Sequence, residues 1–288
     1  MRNVRTDLAI ETISPEENDL PKGVQCLRKE RDGIPVEEVE ISTAEGSKAL
    51  GKPIGRYITM TLPPLWKGES QSIETGTNLL AGYLKEMLPK KGLVLVLGLG
   101  NPNLTADSLG PKTAAGILAT RHLAQIDSDF FRSLRPCAAL APGVLGQTGL
   151  ESAELAAAVT ERFQPGAVIV IDALAAGETS RLGTTVQLSD SGISPGSGAM
   201  NRRMELNRES LHTPVFSLGI PTVCEAYVFA SSLLGENITG GKRQMEGFLV
   251  TPKEIDQLSS RGAAMLSAGI NRALQPHLSP EELAFLTA

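Results

Sequence analysis

Residues 93–111 read LVLVLGLGNPNLTADSLGP, and residues 168–173 read VIVIDA. Each is a run of Val, Leu and Ile, apolar on both faces, that ends abruptly and leads to an acid, Asp107 in the first and Asp172 in the second. Strands of this kind belong inside a sheet covered by helices above and below. Ligands of open α/β sheets collect beyond the carboxyl ends of the strands, so two acids placed past two buried strands suggest a site there.

The flanking sequence supports the same architecture. Leu79, Leu80, Tyr83, Leu84, Met87 and Leu88 form one helical stripe, which Pro89 and Gly92 end just before the first buried strand. Pro111 suits the first turn of a helix expected to run to about Leu123. Residues 136–141 read as a third strand. A loop then leads to a helix capped by Thr148 and Glu151, with Leu155, Val159 and Phe163 on one face. Residues 184–188 and 214–218 are short strand candidates. Thr251, Pro252 and Glu254 open a last long helix with Ile255, Leu258, Leu266, Ile270 and Leu274 inward, and Ser279, Pro280 and Glu282 repeat that device. Upstream, residues 55–62 alternate as a strand, and the polar first 55 residues read as an arm with one edge strand over 36–41. The expectation is one α/β domain over residues 1–288, a largely parallel twisted sheet with helices on both faces.

Hydrophobic residues make up 41% and aromatics only 4%, which leaves the core to aliphatic side chains. A net charge of −5 gives no reason to expect a nucleic acid or an anionic membrane as direct partner. Cys26, Cys137 and Cys224 are widely spaced and read as buried thiols in a reducing compartment. The charged beginning MRNVRTDLAIE lacks the apolar core of a signal peptide, and no apolar run is long enough to span a bilayer. A soluble, cytoplasmic protein is expected.

The chemistry rests on few residues. Asp172 follows VIVI directly, whereas Asp107 lies just before the next helix and could equally cap it. GLGN at 98–101 lacks the third glycine of a dinucleotide fingerprint, and His122, His212 and His277 have no metal spacing. The loop DSGISPGSG, residues 190–198, brings Asp190, Ser191 and Ser197 as a possible wall of the cleft, and Glu225 in GIPTVCEA is a candidate third acid. Two nearby carboxylates share a proton, so that one can activate water while the other protonates a leaving amine; they could alternatively hold a divalent cation.

Seven blocks in order, VRTDLAIE (4–11), GLGNPNLTADSLGPK (98–112), APGVLGQTGLE (141–151), VIVIDALAA (168–176), SDSGISPGSG (189–198), GIPTVCEA (219–226) and LVTPKEID (249–256), resemble the germination protease family. The resemblance implies a fold shared with hydrogenase-maturation endopeptidases. It also implies a spore-core endopeptidase that degrades small acid-soluble, DNA-coating spore proteins and is made as a zymogen. The family's essential aspartates map onto Asp107 and Asp172 and its self-processing point onto Asp7 and Leu8, so residues 1–7 become a short pro-segment. Asn101, in the block that carries Asp107, is a candidate cleft or substrate-binding residue, as are Asp190, Ser191, Ser197 and Glu225. No metal or cofactor is implied, and a homo-oligomer, possibly a tetramer, is. The stretch between Ala226 and Leu249 is shorter than the family pattern. Two other readings share these residues: a C-terminal peptidase of the hydrogenase-maturation type, and a homologue that binds spore proteins without cutting them.

Overall fold

The computed structural model describes residues 5–13, 20–194, 205–235 and 244–287. In chain order its strands are β1 (Val24–Arg31), β2 (Ile34–Ile41), β3 (Gly55–Thr61), β4 (Val94–Gly98), β5 (Cys137–Leu140), β6 (Ala167–Ala176), β7 (Thr185–Ser189), β8 (Val215–Glu225) and β9 (Leu249–Val250). The helices are α1 (Ala44–Leu50), α2 (Ser70–Met87), α3 (Leu109–Ala115), α4 (Asp129–Ser133), α5 (Leu145–Thr148), α6 (Ser152–Phe163), α7 (Arg208–Leu211), α8 (Ala226–Leu234), α9 (Ile255–Leu274) and α10 (Pro280–Leu286).

The two apolar runs become neighbours at the centre of one sheet, ordered β1-β2-β3-β7-β8-β6-β4-β5 with β9 beside β8. Strand alternation splits their side chains between two cores. Val94, Val96, Ile169 and Ile171 pack on Leu80 and Leu84 of α2 and Leu266 and Ile270 of α9, while Leu95, Leu97, Val168 and Val170 pack on Ala153 and Ala156 of α6 and Leu211 of α7. Each such side chain, once buried, contributes roughly 1.5–3 kcal/mol. Helices thus cover both faces, as expected. The parallel part of the sheet is β5, β4, β6 and β8, and antiparallel β7, β3, β2 and β1 extend it.

Several local expectations are corrected. The first 55 residues are more than an arm and an edge strand. β2 lies inside a hairpin with β1 as the edge, and Leu8, Ala9 and Ile10 are buried with Val24, Val39, Ile41, Tyr57 and Leu174 in a core of their own. The helix expected to reach Leu123 stops at Ala115, because buried Asn271 of α9 donates to the Gly116 carbonyl (2.9 Å) and accepts the Leu118 N–H (3.0 Å). His122 therefore lies on a separate 3-10 turn, Arg121–Gln125. Thr148 ends α5 instead of capping α6; Glu151 caps α6 and pairs with Glu154 in the capping box. The buried face of α6 is Ala153, Ala156 and Thr160, and Phe163 is exposed beneath the Arg121 guanidinium. α9 begins at Ile255, since the Thr251 hydroxyl is spent on the Thr222 carbonyl (2.8 Å). The capping box at Ser279 and Glu282 forms as expected.

One close approach sets where the sheet opens. A Cβ on Gly98, the last residue of β4, would stand 2.1 Å from the Gly110 carbonyl oxygen of α3. Gly98→Ala therefore forces strand and helix apart. It is expected to cost about 3 kcal/mol in urea denaturation, and a change within about 0.5 kcal/mol would contradict the packing. Cys137 and Cys224 are buried, and burial pushes their thiols up to about 12 and about 11 respectively, whereas Cys26 is half-buried. Because the thiolate is the reactive form, a thiol reagent at pH 8 should modify Cys26 first and the other two only on unfolding.

Candidate active site

β4 and β6 run side by side until Gly98, which lies opposite Ile171, and the Leu99 N–H then closes a last bond to the Ile171 carbonyl (2.8 Å). β6 continues to Ala176 on its pairing with β8. Asp172 is thus the first residue of β6 beyond the end of β4, inside the strand and not past it, and it is half-buried. Its Oδ1 accepts the Ala173 N–H (2.9 Å).

After Leu99 the chain turns back over the sheet edge. Gly100 has φ 115°, and a Cβ there would stand 2.0 Å from the Asp107 carbonyl oxygen, so a side chain is excluded. The loop ends in a 3-10 turn, Thr105–Asp107, whose final residue is the half-buried Asp107. Its Oδ2 accepts the Asn101 N–H (2.7 Å), and the N-cap position of α3 falls to Ser108. The turn is fixed from two sides. The Thr222 hydroxyl of β8 donates to the Ala106 carbonyl (2.7 Å), and the Ser108 and Ser259 hydroxyls meet at 2.8 Å. The Asp107 turn therefore packs against β6 and β8, at the sheet edge that carries Asp172.

The other candidate residues distribute unevenly. Asn101 belongs here: its Oδ1 accepts the Asn103 N–H (3.0 Å) and the Gln147 side-chain amide (2.7 Å), which ties the loop to α5. Asp190 and Ser191 do not. β7 runs antiparallel to β8, so its last residue, Ser189, lies level with Ser217 and Val170, and the chain beyond it heads for the opposite edge. There the Asp190 Oδ1 accepts the Arg56 N–H (2.7 Å), and the Ser191 hydroxyl meets that of Ser189 (2.8 Å). Ser197 lies outside the described residues. Glu225 follows Cys224, which is opposite Ala176, so it sits on the order of 16 Å along the strands from Asp172 and is no third acid beside it.

The N-terminal segment reaches this edge through Asp7 and through three polar residues that sequence reasoning passed over, Gln187, Glu11 and Lys52. Asp7 donates its N–H to the Ala175 carbonyl (2.9 Å) and accepts the Ala175 N–H on Oδ2 (2.7 Å). Gln187 accepts the Ala9 N–H (2.8 Å) and donates to the Asp7 carbonyl (3.2 Å). Glu11 accepts the N–H groups of Gly177 (2.7 Å) and Glu178 (2.9 Å); burial raises its carboxyl above the usual range against those bonds. Lys52 donates to the Thr6 carbonyl (2.8 Å), and burial lowers its ammonium. Among the described residues no three His, Cys, Asp or Glu side chains cluster as metal ligands would, and no helix is long and apolar enough to cross a membrane.

The sequence profile of the germination protease family matches residues 4–238. The chain belongs to the germination protease family. The germination protease of Caldanaerobacter subterraneus subsp. tengcongensis is 38% identical, with 97% of each chain covered. That of Clostridium perfringens is 36% identical over 98% of each, and that of Bacillus pumilus 33% identical over 97% of this chain and 95% of the relative. Among solved structures, a [NiFe] hydrogenase maturation protease from Thermococcus kodakarensis aligns with a TM-score of 0.37 at 16% identity, over 66% of this chain and 99% of that one. As a germination protease relative over nearly its whole length, the protein is a peptidase of spore germination.

For a member of the germination protease family, the two edges make different demands. Thr222→Val removes one of the two bonds that fix the Asp107 turn, and should cost about 1–3 kcal/mol of stability and slow peptide cleavage several-fold. Asp190→Ala, at the opposite edge, should leave the cleavage rate unchanged within error. A slow Asp190→Ala enzyme beside a normal Thr222→Val enzyme would mean that the site lies elsewhere.

Proposed function

We propose that the protein is an endopeptidase that degrades small acid-soluble spore proteins, with Asp107 and Asp172 as its catalytic acids. The observation that carries this reading is the placement of Asp172 where β4 stops and β6 goes on, with the Asp107 turn packed against the same strands. In this reading the ionised carboxylate takes a proton from water as the water oxygen attacks the peptide carbonyl. The protonated carboxyl then gives its proton to the departing amine as the C–N bond breaks.

The reading extends to self-processing between Asp7 and Leu8. Asp7 lies beside Ala175, three residues along β6 from Asp172, and Leu8 is fully buried. Cutting that bond therefore requires the segment to leave this register or to be presented to another molecule. It would release the residues up to Asp7 and keep Leu8, Ala9 and Ile10 in the core. A spore-core location goes with this role, as does a homo-oligomer, for which the exposed Leu233, Leu234, Phe248 and Leu249 offer an apolar surface.

Asp172→Asn and Asp107→Asn should each lower cleavage of a small acid-soluble spore protein by roughly 10²–10⁴-fold while the thermal transition remains cooperative. Mass spectrometry of the purified protein should find a chain beginning at Leu8 that is missing from the Asp172→Asn variant. Undiminished activity of either variant would sink the catalytic assignment.

A further inference from the structure

β6 has an outer face to its backbone that β4 leaves uncovered. Along a strand, alternate residues direct their N–H and C=O groups to opposite neighbours. Val168 bonds towards β8, through the Pro214 carbonyl (2.9 Å), and Ile171 bonds towards β4, through Leu99. The residues directed to the β4 side beyond Ile171 are therefore Ala173, Ala175 and Gly177. They are spaced about 6.6 Å apart and lead away from Asp172.

Visiting groups hold this row. Ala175 has both backbone groups on Asp7, one on its N–H and one on its carboxylate, and the Gly177 N–H is on the Glu11 carboxylate. The Ala173 N–H, nearest the site, is on Asp172 itself. The segment runs in the direction of β6, Asp7 meeting Ala175 and Glu11 meeting Gly177, so it takes up the line of β4 after a gap. Two of its three bonds come from carboxylates standing where a backbone carbonyl would stand in a strand.

We propose that the row from Ala173 to Ala175 is the substrate track: an extended peptide adds to β6 as a parallel strand continuing β4, which lays one of its carbonyls beside Asp172 and takes the Ala175 backbone groups from Asp7. This rests on the catalytic reading of Asp172. Main-chain pairing gives such a track affinity for any extended chain, with no demand on sequence. The track ends before Gly177, whose N–H stays on Glu11 because Leu8, Ala9 and Ile10 hold that part of the segment in the core.

The test compares two full-length chains, Asp172→Asn and Asp172→Asn/Asp7→Pro, with a fluorescently labelled small acid-soluble spore protein as probe. Proline at position 7 lacks both the N–H and the carboxylate. The double variant should bind the probe about tenfold more tightly by anisotropy, and equal or weaker binding overturns the proposal. Hydrogen exchange keeps it testable should the proline disturb the fold. With Asp172→Asn saturated by probe, the Asp7 amide, which loses its bond to the Ala175 carbonyl, should exchange faster while the Ala175 amide stays protected; unchanged exchange at Asp7 at saturation overturns it. Failure of the catalytic reading looks different, as full cleavage by Asp172→Asn whatever the binding.

Discussion

The 2.8 Å bond from the Leu99 N–H to the Ile171 carbonyl is the last rung between the two central strands, and the candidate site depends on its being the last. One residue earlier, Gly98 presses against the Gly110 carbonyl, which turns the chain out of the sheet. One residue later, Gly100 passes the Asp107 backbone too closely for any side chain. β6 is ten residues long and β4 five, and the difference leaves β6 from Asp172 to Ala176 without β4 as a neighbour. Asp172 owes its half-exposure to that mismatch, and Asp107 is delivered to the same place by the loop that ends the shorter strand.

The central strands were legible because LVLVL and VIVI are apolar on both faces, a pattern few other environments tolerate. β1 was not, since VQCLRKER has only one strongly apolar side to show, yet Asp32-Gly33 between it and β2 is a two-residue hairpin signal that goes unused in a reading by hydrophobicity alone. The early end of α3 was out of reach for another reason: its cap, Asn271, lies far away in sequence. The face of α6 was misjudged because the helix sits close to the sheet on alanines, which leaves the bulky residues at its flanks.

The site divides in the same way. Acids following buried strands could be found from the topological rule, and both lie at the expected edge. Asp190 and Glu225 went astray over direction and length. Nothing local says that β7 runs against β8, and Pro221 makes β8 look finished, although it lies at a bulge where the missing N–H costs little and the strand continues to Glu225. Gln187 and Glu11 carry meaning only once the N-terminal segment lies across them.

The ends of the sheet add a last consequence. β1 carries Arg28, Lys29, Glu30 and Arg31 along its outer rim, and β5 at the far end is four residues long. A charged rim and a stub are poor templates for another sheet, so lateral growth into aggregates is discouraged at both ends. The backbone positions of β6 beyond β4 are instead taken up by the N-terminal segment, with Asp7 on Ala175 and Glu11 on Gly177. On the proposed substrate track, main-chain pairing of this kind would select an extended, unfolded chain by shape and turn away compact proteins.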